Sequence, residues 1–227
     1  MFTECPVLVV APHPDDETLG CGGALSRRRR EQSDAEIHWL IVTDMKPEWG
    51  YSAERIAQRN SEIKSVADKL YPIQIHRLGF RPSHLDAVPL DDLISAVSDV
   101  MDAVQPLTVF VPWRYDAHTD HRVVFDAVTA CTKAFRFPSI RTVLAYETVS
   151  ETEFALNPAV SPFRPNVWLD ISRDLDAKLG LLQCYPSEME KFPFPRSVEV
   201  VTSLARLRGS TAGVGAAEAF QLLKGII

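Results

Sequence analysis

Val7-Leu8-Val9-Val10-Ala11-Pro12-His13-Pro14-Asp15-Asp16-Glu17-Thr18-Leu19-Gly20 passes from an uninterrupted apolar run through a polar turn into a helix-forming segment. A short β-branched run closed by proline reads as a strand buried on both faces. Residues 18–31 then read as a helix, and Ile37-His38-Trp39-Leu40-Ile41-Val42 as a second strand. Parallel strands need a crossover of this kind, so the chain opens as a parallel sheet.

The same alternation continues outward. Ile56, Ile63, Val66 and Leu70 recur at helical spacing across residues 52–70, and Tyr71-Pro72 stops the helix. A short strand follows at 74–78. Residues 89–104 carry Leu90, Leu93, Ile94, Val97, Val100, Met101 and Val104 on one stripe, with proline at the first turn. Thr108-Val109-Phe110-Val111-Pro112 is a fourth strand, residues 121–135 a further helix, and residues 142–146 a fifth strand. Strands alternating with helices imply an α/β, doubly wound, mostly parallel sheet with helices on both faces. The last third is less regular: a strand-like 166–171, a helix at 174–184, a proline-rich connector at 192–195 and a helix at 197–208. It reads as packing on the sheet, giving one domain over residues 1–227 with no repeat or linker.

Composition narrows the classes. At 46% hydrophobic and 24% charged the chain has the balance of a globular protein. A net charge of -6 argues against a nucleic-acid partner, which demands a basic footprint. The one basic run, Arg27 to Arg30, spreads around a helix rather than forming a stripe. Cys5, Cys21, Cys131 and Cys184 form no CxxC pair, which speaks against disulfides and against a cysteine-bound zinc. The N-terminal apolar run is too short for a signal or membrane span, so a cytoplasmic location without membrane insertion is expected. The aromatic and proline residues near Phe192 to Pro195 would suit a homo-oligomer interface.

Chemistry concentrates in two loops. The first strand ends in Pro12-His13-Pro14-Asp15-Asp16-Glu17 and the fourth in Trp113-Arg114-Tyr115-Asp116-Ala117-His118-Thr119-Asp120-His121, each followed by a helix. Taken singly, carboxylates at a helix start are explained by the dipole alone. If the first and fourth strands are neighbours, as in the common order 3-2-1-4-5, both loops face the crevice where the sheet reverses direction. Two histidines, a carboxylate and an open position form the set with which a catalytic zinc binds and acidifies water. His13, Asp16 and His121 can supply it, with Asp15 as general base, although spacing does not decide between Asp15 and Asp16. His118 could stabilise an oxyanion and protonate the leaving nitrogen, with Asp120 or Asp116 pairing to favour its charged form. No GxGxxG follows the first strand, which disfavours a nucleotide-binding module.

These residues resemble a known family. Ala11 to Glu17 is similar to the signature of LmbE-like (PIG-L) N-acetylglucosaminyl deacetylases, and His118-Thr119-Asp120-His121 to their second metal motif. Arg59-Asn60-Ser61-Glu62, Leu78-Gly79-Phe80, Tyr185-Pro186-Ser187-Glu188, Pro195-Arg196-Ser197, Arg208-Gly209 and Glu218-Ala219-Phe220 are also similar to bacterial members. The resemblance implies a Rossmann-like fold, one divalent metal, usually Zn2+, and hydrolysis of an acetamide on a small N-acetylated sugar or sugar conjugate. By position it makes His13, Asp16 and His121 metal ligands, Asp15 the general base, His118 the carbonyl-polarising group or acid, and Asp120 its orienter. Thr119 and Pro186-Ser187-Glu188 depart from the family pattern. Substrate-binding candidates are Arg59, on the second helix, and Asp116, in the second loop. Trp49 and Tyr51, in the loop after the second strand, would either stack on a sugar or anchor that loop. Glu218-Ala219-Phe220 would either close the pocket or form a C-terminal edge of the sheet. The rival readings are an amidase for a larger thiol-sugar conjugate and a non-catalytic metal- or nucleotide-binding module.

Overall fold

The computed structural model describes residues 4–157, 159 and 162–226. Its strands are β1 (Val7–Ala11), β2 (Ile37–Thr43), β3 (Gln74–Phe80), β4 (Thr108–Pro112), β5 (Thr142–Tyr146), β6 (Val167–Asp170) and β7 (Ala217–Gly225). Its helices are α1 (Asp16–Glu31), α2 (Ala53–Lys69), α3 (Leu90–Val104), α4 (Thr119–Ala130), α5 (Leu175–Leu182) and α6 (Val198–Ala212). The strands form one sheet in the order β3-β2-β1-β4-β5-β7-β6. The first five run parallel in the expected order 3-2-1-4-5, and β7 is antiparallel to both β5 and β6.

Period-two alternation distributes each buried strand between two cores. Leu8, Val10, Val109 and Val111 face α3 and α4, meeting Leu93, Val97, Met101, Val124 and Val128. Val7, Val9, Ala11, Trp39, Phe110 and Tyr146 face the other way, against Cys21, Ala24 and Leu25 of α1 and Ile63 and Val66 of α2. Both faces are covered, which explains why these strands read as continuous apolar runs.

Two elements differ from their sequence reading. The helix expected over 121–135 spans Thr119–Ala130; the Thr129 and Thr132 hydroxyls bond the carbonyls of Phe125 and Thr129, drawing the last turn away from helix continuation. Residues 217–225, where sequence patterning reveals only the Glu218-Ala219-Phe220 segment, form β7, inserted between β5 and β6. Glu218 points at α1 rather than into the crevice, accepting hydrogen bonds from the Gly23 and Ala24 amides at 2.8 and 2.7 Å and from Lys178 Nζ at 2.5 Å. The arginines 27–30 fan outward as expected: Arg28 reaches Cys5, Arg29 the Leu70 carbonyl, Arg30 Asp174, and Arg27 the Asp170 carbonyl.

The N-terminal half of α1 lies so close to the sheet that a Cβ at Gly20 would come within 2.2 Å of the ring of buried Tyr146, whose hydroxyl is tied to the Val10 carbonyl at 2.8 Å. Gly20→Ala is therefore expected to destabilise the protein by about 1–3 kcal/mol, the cost of overpacking a tight core. A urea unfolding midpoint unchanged from wild type would contradict this packing.

Candidate active site

β1 and β4 are hydrogen-bonded neighbours, so the sheet reverses direction between them and their C-terminal loops confront one another. The first loop turns sharply. Asp15, at the N-cap of α1, has φ 128°, a conformation that L residues rarely adopt and that is kept only where surroundings enforce it. Glu17 supplies the enforcement: its carboxyl accepts from the Asp15 amide at 3.0 Å, from Thr18 Oγ1 at 2.6 Å and from the Tyr185 hydroxyl at 3.0 Å. Burial lifts Glu17 to a pKa of about 8, against the effect of those bonds.

Three donor atoms converge across the crevice. Asp16 Oδ2 lies 3.4 Å from His13 Nδ1 and 3.4 Å from His121 Nε2, and His13, Asp16 and His121 together form a candidate metal site. The remaining ring nitrogen of each histidine meets a carboxylate: His13 Nε2 with Asp120 Oδ2 at 3.0 Å, and His121 Nδ1 with Asp116 Oδ2 at 2.8 Å. Carboxylates placed this way fix the tautomer and ring orientation of a ligating histidine, so the donor set fits a divalent cation. A second grouping, His13, His118 and Asp120, is compact enough as well. Its carboxylate accepts from two amides, Ser83 and Leu85 at 2.7 and 3.2 Å, where Asp16 Oδ2 accepts from one, that of His13 at 2.8 Å. The electrostatics favour positive charge at the first set. Burial opposes ionisation of His13, yet bonds to Asp120 and Asp16 raise its pKa to about 9. Burial likewise opposes charge on His121, and Asp16 and Asp116 overcome it. A bound cation would take the place of those protons.

The pocket beside these atoms, about 180 Å³, is lined by His13, Asp15, Ser83, His118, Glu188 and Arg196 among others. Burial raises the pKa of Asp15 to about 7, and Arg196 pulls it back. Arg196 Nη1 donates to Asp15 Oδ2 at 2.6 Å and to Glu188 at 3.2 Å, while its Nε donates to Ser150 Oγ at 2.7 Å. Arg196 and Glu188 stand in stretches singled out by resemblance, but their own sequence carries no sign of this role: they come from the C-terminal third and touch Asp15 only through the fold.

Several neighbouring residues have partners other than those their sequence reading suggests. Asp120 does not pair with His118 through its side chain. Instead its backbone amide donates to His118 Nδ1 at 3.1 Å, while its carboxylate serves His13. Burial, with the charges of His13 and His121, lowers the pKa of His118 to about 4, so its ring is neutral rather than cationic and carries its proton on Nε2. Asp116, a substrate-binding candidate from the sequence, has its side chain fully buried behind His121 and bonded by Thr152 Oγ1 at 2.6 Å, away from the pocket lining. Arg59 lines the pocket, but its guanidinium is committed to the Pro14 carbonyl at 2.8 Å and to Glu188, with Glu62 alongside. It braces the turn that carries Asp15. Trp49 lies outside the pocket lining, under Lys46 Nζ at 4.9 Å.

The parallel order 3-2-1-4-5 with helices on both faces places the chain in the Rossmann-like α/β class, with histidines and carboxylates gathered at its switch point. Within it, the family model described as PIG-L: GlcNAc-PI de-N-acetylase matches residues 8–132, and the chain belongs to this family. The chain is similar to diacetylchitobiose deacetylase of Thermococcus kodakarensis, with 24% identity over 97% of this chain and 84% of that protein. Its fold matches the crystal structure of the conserved protein TT1542 from Thermus thermophilus, with TM-score 0.76, 26% identity, and coverage of 100% of this chain and 97% of that one. The fold is also that of 4-carboxy-2-hydroxymuconate hydratase from Pseudomonas putida, with TM-score 0.72, 20% identity and 97% of each chain covered. Among the described residues no helix is long and apolar enough to cross a membrane.

Proposed function

We propose that this chain is a zinc-dependent N-deacetylase that hydrolyses the acetamide of a small amino-sugar-type substrate, releasing acetate and a free amine. The observation that carries the reading is the convergence of His13, Asp16 and His121, each histidine backed by its own carboxylate, beside a buried and strained Asp15. A cation held by those three ligands would supply Lewis acidity toward a carbonyl oxygen and would acidify water.

The chain's own groups do the rest. Asp15, with a pKa near neutrality, is matched to take a proton from attacking water and return it to the leaving nitrogen. His118, its Nδ1 occupied as an acceptor, presents an Nε2 proton to the oxyanion that develops on the substrate carbonyl. Arg196 keeps the Asp15 carboxylate in place, and Asp120 and Asp116 do the same for the two imidazoles. Asp120 therefore acts through His13.

Acetate release from a panel of N-acetylated sugars, nucleotide sugars, sugar-inositol and sugar-malate conjugates tests the reading. Release from at least one class, abolished by chelation and restored by zinc, is expected. Silence across the panel from protein with zinc bound would overturn it, and would direct attention to larger amides or to hydration chemistry on this fold. Arg196→Met is expected to keep zinc content and lower kcat by about 10- to 100-fold, the scale seen when partners that orient a site residue are removed. Steady-state kinetics with metal analysis would reveal it; wild-type kcat would remove Arg196 from the mechanism.

A further inference from the structure

Tyr185-Pro186-Ser187-Glu188 follows α5 as a tight turn, closed by the Glu188 amide on the Tyr185 carbonyl at 3.0 Å. Ser187 seats the turn on α2: its amide and hydroxyl donate to the buried Glu62 carboxylate at 3.2 and 3.0 Å. The two ends of the turn then reach the loop that carries Asp15 by separate routes. Glu188 accepts from Arg59 and, at 3.2 Å, from Arg196. Tyr185, fully buried and outside the pocket lining, donates its hydroxyl to Glu17 Oε1 at 3.0 Å, and the Arg59 guanidinium lies 5.7 Å from its ring centre.

Arg59 and Glu17 grip the two ends of one peptide unit. The Pro14 carbonyl accepts from Arg59 Nη1 at 2.8 Å, and the Asp15 amide, on the same peptide bond, donates to Glu17 Oε2 at 3.0 Å. Because a peptide unit is planar, holding its oxygen and its hydrogen fixes the plane. The next plane is held by α1, whose Thr18 and Leu19 amides donate to the Asp15 carbonyl at 3.0 and 2.8 Å. With both planes set, the rotation between them is set too. That rotation is the φ of 128° at Asp15, and it decides where the Asp15 side chain points.

We propose that Tyr185 is a positioning residue for Asp15, acting through Glu17 and the Pro14–Asp15 peptide and not on substrate. The inference rests on the deacetylase reading above, in which Asp15 handles the proton of the attacking water. Without the phenol hydroxyl, the Glu17 carboxyl loses its one anchor from the C-terminal third of the chain. The Asp15 backbone is then free to relax toward commoner angles, carrying the base out of line. A small misplacement of a reacting group costs rate far more than it costs binding.

Tyr185→Phe removes the hydroxyl and keeps the ring beside Arg59. It should bind one zinc per chain and keep KM within about twofold while kcat falls about tenfold. Hydrogen exchange followed by NMR should show the Asp15 amide exchanging at least about tenfold faster, with the β1 amides unchanged. A role in packing alone would lower the urea midpoint and move neither readout. Glu17→Leu should lower kcat about 10- to 100-fold. Glu17→Gln should recover most of that loss, since its oxygen can accept from the Asp15 amide while its NH2 donates to the Thr18 and Tyr185 hydroxyls. If Glu17→Leu fails to fold, Tyr185→Phe still decides. Wild-type kcat in Tyr185→Phe, a loss carried in KM instead, or an unchanged exchange rate at Asp15 would each overturn the assignment and leave the deacetylase reading standing. Silence of the wild type across the acetamide panel would overturn that reading, and this inference with it.

Discussion

Asp15→Asn is expected to retain the bound metal and the fold while losing about 10²- to 10⁴-fold in kcat, the usual contribution of a positioned general base. The substitution is close to isosteric, and an amide oxygen can still accept from Arg196 Nη1, which now lies 2.6 Å from the carboxylate. Arg196 also keeps Glu188 and Glu151 as partners. Because Asp15 is buried, replacing its carboxyl by a neutral amide adds no desolvation cost, and the urea midpoint should not fall. The decisive measurement pairs kcat for acetate release with zinc stoichiometry on the same preparation. Turnover within tenfold of wild type at one zinc per chain would remove Asp15 from the chemistry and leave its strained backbone without a purpose.

His121→Ala should be more damaging, and in a different way. It deletes one of the three converging donors and strands two buried carboxylates, Asp116 and Asp16, that now lean on the imidazole at 2.8 and 3.4 Å. Removing one partner of a buried pair leaves an uncompensated charge, at a cost of about 3–5 kcal/mol. We expect loss of stoichiometric zinc, activity at background and a markedly lower unfolding midpoint. Asp116→Asn separates the effects, since it keeps a hydrogen-bonding group against His121 while removing the charge. It should retain zinc with affinity reduced about 10- to 100-fold. Zinc binding by His121→Ala indistinguishable from wild type in equilibrium dialysis would show that the cation sits elsewhere, with the His13, His118 and Asp120 grouping next to be tested.

The contrast between these variants reflects how the site is built. Asp15 lines the pocket, where its partner Arg196 arrives from the C-terminal third of the chain. His121 works inside a buried relay that runs from Thr152 through Asp116. The segment carrying Thr152 also supplies Glu151 to Arg196, so both halves of the site depend on the connection that follows β5. Its patterning is too irregular to announce this in the sequence.

By itself the sequence determined the alternation of strands and helices; the order 3-2-1-4-5, only the common arrangement for such a chain, was settled by the structure. The sequence also determined the two histidine- and aspartate-rich loops and the family to which the chain belongs. Those properties are local: side-chain periodicity records which face of an element is buried, and loops at strand ends occupy a place the sheet order dictates. Only the tertiary structure decided that Asp120 serves His13 across 107 residues of sequence, that Asp116 stands behind His121, and that Arg59 braces the turn carrying Asp15. It alone placed Arg196 on Asp15, and β7 inside the sheet rather than at its edge. Each of these depends on register and distance between elements far apart in the chain, where a shift of one residue would exchange one carboxylate for another, and no periodicity within a segment encodes that choice.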